Sequence, residues 1–322
     1  MRHERDASIE PCGIPLTDLK ESLERRGCSG EIQGWDTLVL ASETHTTEIR
    51  VREADRGHDS PDPIQARVTI ICRLAPKIAE ALDQPEKLLA LNGLAAMGGL
   101  RDKGDEIAVE SALTVFEDEG AWAPLQQPLI EAAAMHSADA ILGAICGGAA
   151  NESTQEGGSA WGGPDFKVVE SVLSGMCVCN ADTAGLTAEF GLSADAVTVG
   201  FGGCNTALYQ QMPDQPHPHL GGGLLCKIEM PHRYADLATL ASVCGRLNML
   251  EMTTMNQPPH FGAWCEGRLG GNPAYVTFLP NVLHGVNRIA LNEAIWALSR
   301  AIWAQSQIEQ LAGELDGPVP VR

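Results

Sequence analysis

The stretch ARVTIICRL at residues 66–74, running on into KIAEALDQPEKLLALNGLAAMGGL at residues 77–100, decides the fold. Its first part is rich in β-branched and apolar residues and reads as a strand. Its second part sets Ile78, Leu82, Leu88, Leu89 and Leu91 on one broad helical face, with Pro85 kinking or splitting the helix and Gly98-Gly99 closing it. The same strand-then-helix order returns after the midpoint as GLLCKIEM (223–230) and ADLATLASVCGRLNMLEM (235–252). A shift of 156 residues sets Val68 on Leu224 and Leu91-Asn92 on Leu247-Asn248, and brings the helix around Ala140 onto the helix around Trp296. Identities are few, so the repeated order and spacing of elements carry the case for an internal duplication.

Working outward, Leu16, Leu19 and Leu23 lie at helical spacing in PLTDLKESLERRG, between a Pro15 start and a Gly27 stop. TLVLAS (37–42), the alternating TEIRVREA (47–54) and ARVTIICRL form a three-stranded antiparallel meander. IAVESALTVF (107–116) is a further strand, entered through the turn LRDKGDEI, and residues 124–145 are a closing helix. In the second half FKVVESVLSGM is a short helix, LTAEF, AVTVGF, TALYQQM and GLLCKIEM are strands, and HFGAWCEG and AYVTFLP flank the turn RLGGN. The helix RIALNEAIWALSRAIWAQSQIEQL ends the series. Between the halves, GGAANESTQEGGSAWGG has linker composition and no period. The expected organisation is an α+β unit over residues 1–146, a linker at 147–163 and a second unit over 164–322. Each unit is read as a two-layer arrangement of an antiparallel sheet of 4–5 strands and about three helices in the order α-β-β-β-α-β-β-α.

Charge narrows the function classes. The chain of 322 residues carries 22 Lys and Arg against 42 Asp and Glu, a formal net charge of −20, split −12 and −8 between residues 1–150 and 151–322. That balance excludes a nucleic-acid binder, which needs a concentrated basic surface, and repels anionic membranes. The polar start MRHERDASIE lacks the apolar core of a secretory signal, and no stretch reaches the roughly 20 apolar residues of a membrane span, so a cytoplasmic location is expected. Ten cysteines in that compartment are expected as reduced thiols, and no cofactor is expected.

The opening TDLKESLERRG followed by GWDTLVL, the Leu-Asn motif in LALNGL and GRLNML, and the terminal amphipathic helix together resemble the type III secretion chaperone-like fold. They are also similar to the YbjN group of bacterial sensory transduction regulators, here as two tandem copies. The resemblance implies a non-enzymatic module that binds another polypeptide, chaperone-like or regulatory, with a protein client as partner. Secretion chaperones are typically single units; two fused copies would mimic their dimer.

Two other features bear on function. Cys177, Cys179, Cys204, His217 and His219 supply the thiolates and imidazoles a zinc site or a thiol enzyme needs, but the C-x-C and H-x-H spacing is unspecific, and buried thiols beside a polar loop are the simpler account. Cys265, near His260 and Glu266, is the best single thiol with polar neighbours, with a structural role favoured. The glycine runs GFGGCN and LGGGLL lack phosphate-loop spacing and read as turns. In the last helix Ile295, Trp296, Ile302 and Trp303 belong to a wide apolar stripe that covers the sheet and offers a surface for the other unit or for self-association.

Overall fold

The computed structural model describes residues 15–53, 64–82, 84–94, 96–104, 106–116, 123–146, 170–171, 174, 178–181, 185–192, 195–202, 223–254, 260–267, 270–280 and 286–312. The chain starts with α1 (Leu16–Arg25), whose buried Leu16, Leu19 and Leu23 form the predicted stripe. Strands β1 (Gly30–Gln33), β2 (Thr37–Ala41), β3 (His45–Glu53) and β4 (Ile64–Leu74) follow as an antiparallel meander. Then come α2 (Pro76–Ala79) with a 3-10 turn, α3 (Pro85–Asn92), β5 (Gly99–Asp102), β6 (Ile107–Phe116) and α4 (Ala123–Cys146). The second half contributes β7 (Val178–Ala181), β8 (Gly185–Leu192), β9 (Asp195–Gly202), β10 (Gly223–Glu229), α5 (Leu237–Thr254), β11 (Gly262–Glu266), β12 (Pro273–Pro280) and α6 (Val286–Ala312).

Each half builds one antiparallel sheet, in the orders β1-β2-β3-β4-β6-β5 and β11-β12-β10-β9-β8-β7. The α+β class and antiparallel pairing follow the sequence pattern, but among the described residues each sheet has six strands where 4–5 were expected. The additional strands are short: β1, β5 and β7 have four residues each, too few to show a period, and their pairing to long neighbours creates them. Two boundaries also differ. Pro85 does split the helical region, sitting in the first turn of α3, but the helix ends at Asn92 rather than at Gly98-Gly99, because the Asn92 side chain leaves it to bind β5. The linker residues 147–163 and the strand TALYQQM lie outside the described residues.

The duplication is visible in register. Val68 pairs with Leu113 in the first sheet and Leu224 with Leu279 in the second; Val68 and Leu224 are 156 residues apart and their partners 166, so the 156-residue shift covers β4 and β10 but not the strands they pair with next. It holds again at the two asparagines. Asn92 Nδ2 donates to the Leu100 carbonyl and the Leu100 N–H donates back to Asn92 Oδ1 at 2.7 Å; Asn248 does the same with Trp264, also at 2.7 Å on the return bond. Eight residues separate the first pair and sixteen the second, so the halves slip by eight residues after the central helix. The helix around Ala140 therefore does not superpose on Trp296 at the 156 shift. The buried stripe Ile130, Ala134, Ser137 and Ile141 of α4 matches Ala297, Ala301, Ala304 and Ile308 of α6, a further eleven residues along. Eleven residues are about three helical turns, which is why the apolar pattern matched in the wrong register.

In β4, Ala66, Val68, Ile70, Cys72 and Leu74 point into an apolar core under α1 and α4, whereas Arg67, Thr69, Ile71 and Arg73 alternate onto the opposite face. Burying Val68, Ile70 and Leu74 contributes about 1.5–3 kcal/mol each, which fixes the register strongly. The opposite faces of the two sheets meet near β5 and β11. A Cβ on Gly99 would stand 2.8 Å from Ala263 Cβ, so the approach requires glycine there. An isolated two-hydrogen-bond bridge between Ala112 of β6 and His260 ties the halves together (His260 N to Ala112 O, 2.8 Å).

Candidate functional site

The polar face of the first sheet is only partly covered. Helix α5 of the second half crosses it, held by Arg67 Nη2 donating to the Met252 carbonyl at 2.7 Å. Between α5, α3 and this face lies an open cleft of about 1140 Å³. Its floor is the strand face bearing Arg52, Arg67, Thr69, Ile71, Glu110 and Thr114; its walls are Leu88 and Leu89 of α3 and Met249, Met252 and Thr253 of α5, and Trp264 also lines it. Met249 is 57% exposed. Gly245 opens the α5 wall, since a Cβ there would meet nothing within 4 Å. Its counterpart at the 156 shift is Leu89, which is buried.

The cleft reverses the charge of the chain. Among the described residues, Arg52, Arg67, Arg101, Lys103 and Arg246 line it against Asp102 and Glu110, in a protein of net charge −20. The concentrated positive potential attracts anions, and low-dielectric walls strengthen it.

A buried relay of charges leads from the cleft into the second half. Lys103 Nζ pairs with Glu110, whose Oε2 lies 3.1 Å from Arg101 Nε. Arg101 Nη2 hydrogen-bonds His260 Nε2, and His260 Nδ1 is 3.1 Å from Glu251 Oε1. Glu251 also pairs with Arg300 and accepts from the Trp264 indole N–H at 2.7 Å. The Arg300 guanidinium stacks 4.2 Å above the Tyr275 ring. Burial pushes the His260 pKa down to about 4, with Arg101 and Arg300 adding to the shift and Glu251 opposing it. Neutral His260 therefore accepts at Nε2 from Arg101 and directs its Nδ1 proton to Glu251. Burial acts to raise the Glu251 pKa, but Arg300 and His260 together, through charge and hydrogen bonds, outweigh it and hold the carboxyl at about 2. Burial likewise lowers Arg101 to about 10, leaving it charged at neutral pH. Arg101 is 6% exposed, and its Nη1 has no hydrogen-bond partner among the described residues.

No protein-family model, curated protein or solved structure matches the chain.

Among the described residues, none of those singled out from sequence as candidate site residues lines the cleft. Cys177, Cys204, His217 and His219 are outside the described residues; Cys179 is in β7, its backbone paired with Ala188 and its side chain outside the description. Among the described residues no group of three or more His, Cys, Asp or Glu is arranged to hold a metal. Trp296 and Trp303 are half-buried on α6, Ile302 is 56% exposed, and the Ile295 side chain is outside the description. Helix α6 packs on β9 and β10. Cys265 sits in an apolar cluster with Ala96, Ala274, Val276 and Phe278, its thiol pushed up by burial to about 12. Burial also raises Cys28, Cys72 and Cys244, so these four are thiols, not thiolate nucleophiles, at neutral pH. His260 turns away from Cys265 to the carboxylate of Glu251. No described helix is long and apolar enough to cross a membrane.

The cleft residues escaped sequence reasoning. One signal was present: TEIRVREA and ARVTIICRL place Arg50, Arg52, Arg67 and Arg73 on the face opposite the core, repeatedly basic in an acidic chain. Recruitment of Arg246 and Met249 from the second half had none.

Proposed function

We propose that this is a non-enzymatic cytoplasmic protein that binds a segment of another polypeptide in the cleft between its halves. The cleft carries the reading. At about 1140 Å³ it exceeds the roughly 300–1,000 Å³ of small-molecule pockets, and it is an open trough walled by two helices over a sheet face. Its α5 wall presents Met249 and Met252, unbranched side chains that repack around varied surfaces. The positive lining supplies charge complementarity to an acidic occupant. A client-holding role is also what the resemblance to the type III secretion chaperone-like fold and the YbjN group implies.

A photocrosslinking residue at Met249 tests this in cells that produce the protein, with Trp35, 61% exposed and away from the cleft, as control. Polypeptide adducts are expected at position 249, absent at 35, and lost when Gly245→Trp fills the trough. Their absence in the Met249 sample overturns the proposal. The competing reading, a metal- or thiol-dependent enzyme using Cys177, Cys179, Cys204, His217 and His219, predicts stoichiometric zinc by elemental analysis, lost on replacing Cys177 and Cys179.

A further inference from the structure

Arg101 is the most constrained cation of the cleft. Its Nε faces Glu110 at 3.1 Å and its Nη2 is taken by His260, while Nη1 is buried in the cleft lining without a hydrogen-bond partner among the described residues. A buried guanidinium N–H left unmade costs about 1–3 kcal/mol, which an arriving oxygen recovers. Charge-assisted bonds from Arg to an anionic oxygen are about twice as strong as neutral ones. The neighbouring Lys103, Arg67, Arg52 and Arg246 bias the choice to an anion, while Leu88 and Met249 require apolar flanks. The Nη1 amino group offers two unpaired N–H donors to a carboxylate, and the acidic pair Asp102 and Glu110 on the same lining disfavours a doubly charged group such as a phosphate.

We infer that the segment bound in the cleft is recognised through an Asp or Glu carboxylate set among apolar residues, received by Arg101 Nη1 and steered by Arg52 and Arg246. The inference rests on the polypeptide reading above and names the chemistry of its ligand. Specificity is for acidic-apolar sequence; basic segments are rejected by like charge.

The test is selection from a phage-displayed random 12-residue peptide library on the full chain, followed by titration of the selected synthetic peptides. Enrichment of Asp or Glu flanked by apolar residues is expected. Replacing that acid by Asn or Gln should weaken binding about tenfold, the scale of one charge-assisted bond. Because Arg101 is buried in an ion-pair relay and Arg101→Gln risks the fold, the exposed pair Arg52→Glu and Arg246→Glu serves as the second variant. That variant should lose the acidic peptides at least tenfold, with circular dichroism unchanged, and select basic ones instead. Peptides that bind the cleft, judged by loss with Gly245→Trp, yet show no acidic preference overturn this inference and leave the polypeptide reading standing. No peptide sensitive to Gly245→Trp overturns both. Selection of phosphate-mimicking acidic runs displaced by millimolar inorganic phosphate overturns the single-carboxylate assignment.

Discussion

The two halves share a frame but use their open faces differently. In each, an asparagine at the end of the central helix clamps the backbone of the following strand, and a long terminal helix covers the apolar side of the sheet. On the opposite side the second sheet presents Ala274, Val276 and Phe278, packed with Leu94 and Ala96 from the first half. The first sheet presents Glu110 and Ala112 at the positions of Val276 and Phe278; Glu110 lines the open cleft, and Ala112 is buried beside the His260 bridge. Counting back four residues from the clamped Leu100 and Trp264 gives Ala96 in one half and His260 in the other. The frame tolerates either an apolar contact or a buried polar relay at this junction. The difference teaches that the duplication fixed the scaffold, while departures from symmetry made the cleft.

The largest expected effect breaks the relay. Glu251→Ala leaves Arg300 and its Tyr275 contact with an uncompensated buried charge, and a loss of about 3–5 kcal/mol is expected in chemical denaturation. The first half's His136–Asp139 pair, 3.7 Å apart with Asp139 at 41% exposure, is the contrast: Asp139→Ala should change stability by under about 0.5 kcal/mol. Equal losses would remove the asymmetry between the halves.

Acid should attack the same relay in two stages. His260 resists protonation when folded, at about 4 against an ordinary 6.5, so the unfolded chain takes up a proton first and stability falls as pH drops through that window. Glu251 is held at about 2 against 4.5, so its contribution is present above 4.5 and is lost as pH falls toward 2. On the order of 3 kcal/mol is expected from the histidine stage. Denaturation midpoints across pH should show His260→Gln abolishing the drop between pH 6.5 and 4 while sparing that below 4.5; an unchanged upper drop would exclude His260 as its source.

The shared frame predicts symmetry at the clamps. Asn92→Ala and Asn248→Ala each strand a buried backbone N–H and carbonyl, and each should cost about 2 kcal/mol, equal within about 1 kcal/mol. A large inequality measured by urea titration would mean that one clamp is redundant. The smallest effect concerns Gly245, the open counterpart of Leu89. Gly245→Ala should stabilise by roughly 0.5–1 kcal/mol, because helix propensity improves and the new Cβ meets nothing, observable as a small rise in Tm.

How legible these features were depends on their range along the chain. Helix α1 was plain because Leu16, Leu19 and Leu23 repeat at helical spacing, and the turn at LRDKGDEI was plain because Gly104 adopts positive φ between β5 and β6. The Leu-Asn motif marks the repetition in the sequence, but its role depends on the partner strand eight or sixteen residues on. Among the described residues, six strands per sheet exceed what the sequence shows, because β1, β5 and β7 exist through pairing rather than propensity. Trp296 and Trp303 make the terminal helix stand out in the sequence, yet that helix lies on the sheet face away from the cleft.

By itself the sequence determined the α+β class, the duplicated order of elements, the long strands and the apolar side of each sheet, since all of these follow from periodicities of two and 3.6 residues over short windows. Tertiary structure decided the cleft, its reversed charge and the Arg101–His260–Glu251 relay. Those features join residues 159 and 185 positions apart, through contacts whose energies come from burial and pairing across the two halves, and no local pattern in the chain encodes such distances.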